Sequence, residues 1–215
     1  MVVDLINTLF IAVAAFVVVI CWQQYDNAHN HTVAESKALV EVYQSADELP
    51  APEHDRVQGL VRDYTQEVVG DEWSVMDEKS RLSQSAQDTL DDARDTVSGM
   101  QTTDPDVSDV RDSVIAGLDA VEQARHDRAL DASLEMPGFL YFALWFSAIL
   151  LLFSAVLSGV LVTRRSVVMT GLLGIVLGVT IVAIYGLDRP FGGANTVSKV
   201  AYELALSRFQ QITWR

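Results

Sequence analysis

The run LINTLFIAVAAFVVVICWQQYDNAHNHTVAESKALVEVYQSADEL, Leu5–Leu49, decides the fold. No Gly or Pro interrupts it, and its character changes halfway. Leu5 to Trp22 is apolar apart from Asn7 and Thr8, whereas Gln23 to Leu49 is polar and acidic with apolar residues at helical spacing. We read one long helix that begins in a bilayer and continues into water. Eighteen residues rising ~1.5 Å each cover roughly one hydrocarbon thickness. Trp22 and Tyr25 then fall at the interface, where amphipathic aromatic rings collect.

Working outward, two further apolar runs, 138–162 and 167–187, are long enough to span. Between the first and second spans lie residues 23–137, with 26 Asp/Glu against 9 Lys/Arg. That segment carries net charge −17, more than the −14 of the whole chain. So acidic a surface disfavours nucleic acid, which is held by Lys/Arg neutralising phosphates, and anionic headgroups equally. The single Cys21 permits no internal disulfide. The N-terminal run lacks a basic leader region and a small-residue cleavage site, so it reads as a retained anchor.

The soluble segment has helical stripes throughout. Pro50 and Pro52 force a turn, and Pro52-Glu53 opens a second helix with apolar positions Val57, Leu60, Val61, Tyr64 and Val68, closed by Gly70. Asp71–Ser80 is less regular, with Trp73, Val75 and Met76 as plugs. A third helix, 83–100, carries Ala86, Leu90, Ala93, Val97 and Met100. After the break at 102–105, a fourth carries Val107, Val110, Val114, Leu118 and Val121 and reaches Glu135. No period-two pattern competes. The chain is therefore expected to be all-α, with three transmembrane helices (1–22, 138–162, 167–187) and an acidic antiparallel helical bundle (23–137) inserted between spans one and two. Residues 188–215 form an interfacial turn and an amphipathic helix with Val197, Val200, Ala201 and Leu204 inward.

In the second span, Phe139, Phe142, Phe146 and Phe153 form a stripe. It faces lipid or other helices, or it constricts a pore, since hydrophobic rings gate by dewetting. Gly174 and Gly178 in the third span have the small-xxx-small spacing that lets backbones approach, with Ala155 and Gly159 as the facing groove. The short connection Thr163–Ser166 with Arg164 and Arg165 reads as a cytoplasmic hairpin by the positive-inside tendency. That puts the acidic domain on the extracytoplasmic side of a multi-pass protein of the cell membrane.

No catalytic, cofactor or metal constellation stands out. His29 and His31 diverge by roughly 200° on a helix and cannot share one ion; they read as solvated, as do His54 and His126. No Gly-rich phosphate loop or nucleophile elbow occurs, and no ionisable residue lies inside a span, as ion-coupled transport would ask. An enzyme is not expected.

The stretches FVVVICWQQYDNA, LVEVYQSADELP, RDYTQEVVGDEW and LDRPFGG together resemble the bestrophin-like family of bacterial membrane proteins, formerly a domain of unknown function. The resemblance runs over nearly the whole chain. Its matching positions are Trp22, Tyr25, Asp26, Tyr43, Pro50, Tyr64, Glu72, Trp73, Asp188, Arg189, Pro190, Phe191 and Gly193. Family members usually carry another hydrophobic helix ahead of the first one here, and the chain begins at its threshold. The resemblance implies a homo-oligomeric ion channel with inorganic ions as ligands. The other reading is a non-conducting scaffold or sensor whose acidic bundle binds a protein partner or cations. An acidic pore mouth would favour cations. At the end of the third span, Arg189 is expected to bond Asp26 or a carbonyl near it, and Phe191 to pack on Trp22 or Tyr25, locking the first and last spans together.

Overall fold

The computed structural model describes residues 2–134, 136–157, 164–192 and 196–214. These are almost entirely helical, and no strand occurs among them. Helix α1 (Val2–Ala46) is continuous from the apolar run into the acidic segment. The chain divides into two compact units, Met1–Asp26 with Leu134–Pro190, and Asn27–Ser133 with Phe191–Arg215.

The first unit holds α6 (Gly138–Leu157), α7 (Arg164–Leu187) and the first part of α1. Each is long and apolar enough to cross a membrane. Its core interleaves Phe10, Ala14, Val17 and Cys21 from α1 with Leu140, Leu144, Ala148 and Leu151 from α6 and Leu177 and Ile184 from α7. These positions recur every three or four residues, one stripe per helix. The remaining faces are exposed and apolar, as Leu5, Ile11, Ile175 and Val182 illustrate, which suits lipid or a neighbouring protein. Gly174 and Gly178 are exposed, and a Cβ added to either meets nothing within 4 Å. The expected glycine contact is thus not made within the described chain; α7 packs through Leu177 and Ile184, on a different stripe. Arg164–Ser166 are the first turn of α7 rather than a loop. The rest of the expected hairpin, the end of span two at 158–162 and Gly193 lie outside the described residues.

In the second unit, α2 (Glu53–Glu67) packs on α4 (Gln84–Ser98) and α8 (Val200–Thr213), and α4 packs on α5 (Pro105–Ser133). Val57, Val61, Tyr64, Leu90, Val97, Val114, Leu118 and Val121 are buried as their spacing predicts, with Leu60 half-buried. Asp104 accepts the Asp106 N–H at 3.0 Å, and Pro105 takes the first helical position of α5. Gly117 allows a close approach: a Cβ there would sit 2.7 Å from the Cγ2 of Val42 on α1. Two expectations are corrected. Gly70 does not end α2; the helix passes through it as a π turn (Val68–Glu72) into α3 (Trp73–Lys79), which stops at Ser80 in the left-handed region, φ 50°. The inward face of α8 is Tyr202, Ala205, Phe209 and Ile212, while Val200 and Leu204 are exposed. Large aromatics bury more area than the Val/Leu stripe and win the core side.

Candidate functional site

The centre of the second unit is a buried ionic network. The stripe Val114, Leu118, Val121 of α5 continues through Arg125 and Arg128, so two guanidiniums enter the core. On α1, Glu35 occupies the stripe between Ala28 and Leu39 and is fully buried. The π turn between α2 and α3 supplies Glu72. Glu72 lies eight residues beyond Tyr64, which in an unbroken α-helix swings it roughly 80° away. The extra residue of a π turn brings it back toward the same face.

Arg128 donates from Nε to Glu35 Oε2 at 2.8 Å and from Nη2 to Glu35 Oε1 at 3.1 Å and Glu72 Oε1 at 2.6 Å. Arg125 grips Glu72 with both Nη atoms, at 3.0 and 2.9 Å, and donates to the Ser83 carbonyl at 2.8 Å and to Gln87 Oε1 at 2.9 Å. Tyr64 Oη donates to Glu35 at 2.5 Å and accepts from Arg125 at 3.1 Å. Glu72 also accepts the Ser83 N–H at 3.0 Å at the start of α4. Arg128 lies 5.7 Å from the ring centres of both Trp73 and Tyr202. Two carboxylates and two guanidiniums make the centre formally neutral within a strongly acidic unit.

Burial by itself would raise the Glu72 carboxyl, but Arg128 and Arg125 override it and hold it below the ordinary 4.5. Burial, and then the Glu35 carboxylate, push the Tyr64 phenol well above its usual value, so it remains a donor. Every carboxylate here is occupied by fixed donors, an arrangement that holds helices in place rather than one that shuttles protons. Along the same α1–α5 seam, His31 Nδ1 meets Asp131 Oδ2 at 2.6 Å, half-buried. His31 is therefore a pairing residue and not a solvated one, because Asp131 lies one turn beyond Arg128 on the face that α1 covers. His29 is exposed.

Trp73 is the second hub. Its Nε1 donates to the Val197 carbonyl at 3.0 Å, and its ring meets Phe191 edge-on at 5.8 Å and Tyr202 at 5.7 Å. Lys199 lies 5.7 Å from its centre and donates to the Val69 carbonyl at 2.8 Å. Phe191 is thus partnered by Trp73 within its own unit, and Trp22 and Tyr25 stack on each other at 6.2 Å. Tyr43 stacks on Phe209 at 4.3 Å and accepts from Arg62 at 2.6 Å, joining α1, α2 and α8.

In the first unit, Asp188 is the residue that bonds. It accepts the Met136 N–H at 3.0 Å and the Tyr141 hydroxyl at 2.5 Å, tying the end of α7 to the start of α6. Arg189 is exposed and Pro190 is buried. Asp188 is thus a carboxylate clamp between the third span and the second, whereas the expected lock joined the first span to the last. On α6, Phe139, Phe142, Phe146 and Phe153 are between 51% and 70% exposed, opposite the Leu140/Leu144/Leu151 stripe. Phe142 and Phe146 stack at 5.8 Å. Among the described residues no group of His, Cys, Asp and Glu is arranged to hold a metal ion.

The model of the bestrophin-like domain matches residues 1–202. No curated protein matches the chain. Among solved structures, a point mutant of a bacterial bestrophin homologue from Klebsiella pneumoniae is similar at TM-score 0.74 and 14% identity, covering 99% of this chain and 87% of that one. A membrane protein carrying a single substitution is similar at TM-score 0.72, also at 14% identity, covering 99% and 88%.

Proposed function

The chain belongs to the bestrophin-like family, and from that premise we propose that it is the subunit of a homo-oligomeric ion channel in the cell membrane. The observation that carries the reading is the phenylalanine face of α6. Four large aromatic side chains lie along one side of a spanning helix, uncovered by the chain's own core. When copies assemble, that face lines the permeation path, and Phe139, Phe142, Phe146 and Phe153 narrow it as a hydrophobic constriction. The buried network is the rigid frame: it fixes α1 against α5, and α1 is the helix that also supplies the first span. The permeant species are inorganic ions. With 26 acidic against 9 basic residues in 23–137, the field favours cations over anions.

The test is flux through liposomes holding the purified full-length protein. Phe146→Ala widens the constriction and raises flux several-fold over the parent, and Phe146→Trp lowers it. If both variants assemble like the parent and all three pass ions identically, the phenylalanine face is not the constriction. If none passes ions, the protein is a non-conducting scaffold.

A further inference from the structure

In the second unit, the surface where the latter part of α1 meets α8 differs from the rest. It forms a groove of about 510 Å3 floored by Val33 and Val40 and rimmed by Val200 and Leu204. Val200 and Leu204 are 51% and 63% exposed, on a helix whose opposite face is fully packed. A Val and a Leu four residues apart both face out and are left largely uncovered by the described residues.

Charge is partitioned in the same way. Residues 47–133 carry 22 Asp/Glu against 8 Lys/Arg. On α1 and α8 around the groove, the surface charges are Lys37 and Arg208 against Glu41 and Glu203, because Glu35 is buried in the network and the Lys199 ammonium is turned to the Val69 carbonyl. This face is the part of the unit that is close to neutral. Two copies that meet through any 47–133 surface bring like charges together and repel; meeting through the α1–α8 face, they do not. Copies that share a bilayer also share an orientation and a raised local concentration, which favours a modest contact.

We infer that the α1–α8 groove is a contact between neighbouring copies of this chain, filled by apolar side chains of the next copy. This rests on the homo-oligomeric reading above and names the surface of the acidic unit that serves it. Trp214, the most exposed large apolar residue of the unit at the end of α8, is the group of the right size to enter.

The experiment uses the full-length protein in membranes, with a photo-reactive benzophenone amino acid at Leu204 and, as the comparison, at exposed Asp92. Irradiation at Leu204 gives a covalent product of twice the 23.7 kDa chain mass, and irradiation at Asp92 does not. Leu204→Asp and Val200→Lys, both at exposed positions that leave the core intact, weaken assembly in detergent roughly thirtyfold or more. An oligomer that yields no such product at Leu204 and ignores both substitutions overturns this inference and leaves the channel proposal standing. A parent protein that is monomeric in the membrane overturns both.

Discussion

Arg128→Met removes one guanidinium from the centre of the bundle while keeping much of its volume. Arg128 is fully buried, as are Glu35 and Glu72, the carboxylates it holds. Glu72 keeps both bonds to Arg125, so Glu35 is the group left short, with Tyr64 as its remaining donor. Breaking a buried pair by deleting one partner costs about 3–5 kcal/mol, mostly the burden of the stranded charge. For a chain of this length each kcal/mol moves Tm by about 2–4 °C, so the drop is roughly 6–20 °C. The assay is thermal unfolding of the full chain in detergent followed by tryptophan fluorescence, for which Trp73, beside the lost guanidinium, is a local reporter. Adding Glu35→Gln to the variant removes the stranded charge and recovers part of the loss, so the double variant is more stable than the summed single effects predict. A drop below about 1 kcal/mol, or strict additivity, would refute the network as the frame of the bundle.

The acid limb gives a second prediction with a definite sign. The fold holds Glu72 below 4.5, so its contribution is complete above that value and lost as pH falls through the depressed one. Unfolding free energy therefore declines below about pH 4.5, and Glu72→Gln flattens the decline while lowering the neutral plateau. Asp131 has the opposite sign: burial raises it, with His31 offsetting part, so acidification favours the fold through this group and Asp131→Asn steepens the decline. Gly117→Val forces a Cβ to within 2.7 Å of Val42 and parts α1 from α5, at about 1–3 kcal/mol of overpacking; an unchanged Tm would show that the helices are not so close. Asp188→Asn leaves the Met136 N–H paired but weakens the Tyr141 bond and costs about 1–2 kcal/mol, whereas Arg189→Ala at an exposed position changes stability by less than about 0.5 kcal/mol; the reverse order would restore Arg189 as the lock.

The helical stripes were legible in the sequence because α2, α4 and α5 each bury one face, and Val57, Leu90 or Val114 announce it. The same stripes held the network in plain view. Val114, Leu118, Val121, Arg125 and Arg128 continue one spacing, as do Ala28, Thr32, Glu35, Leu39 and Val42. A charge in step with a buried stripe is a signal that it is paired inside, and reading those residues only as charges hides it. Glu72 was less accessible, since a π turn moves it onto the face of Tyr64 and nothing in VVGDE declares the extra residue. In α8, Val200/Leu204 and Tyr202/Phe209 offer two apolar faces; the identity of the buried one depends on Trp73 and Tyr43, which belong to distant parts of the chain. The partner of Phe191 was missed for the same reason.

The channel reading is tested most directly by recording the purified full-length protein in a planar bilayer under a KCl gradient. The account predicts a conductance whose reversal potential lies toward the potassium equilibrium potential, and a larger conductance for Phe146→Ala. A bilayer that stays silent with protein of proven orientation and assembly, or a reversal potential at the chloride value, would contradict it.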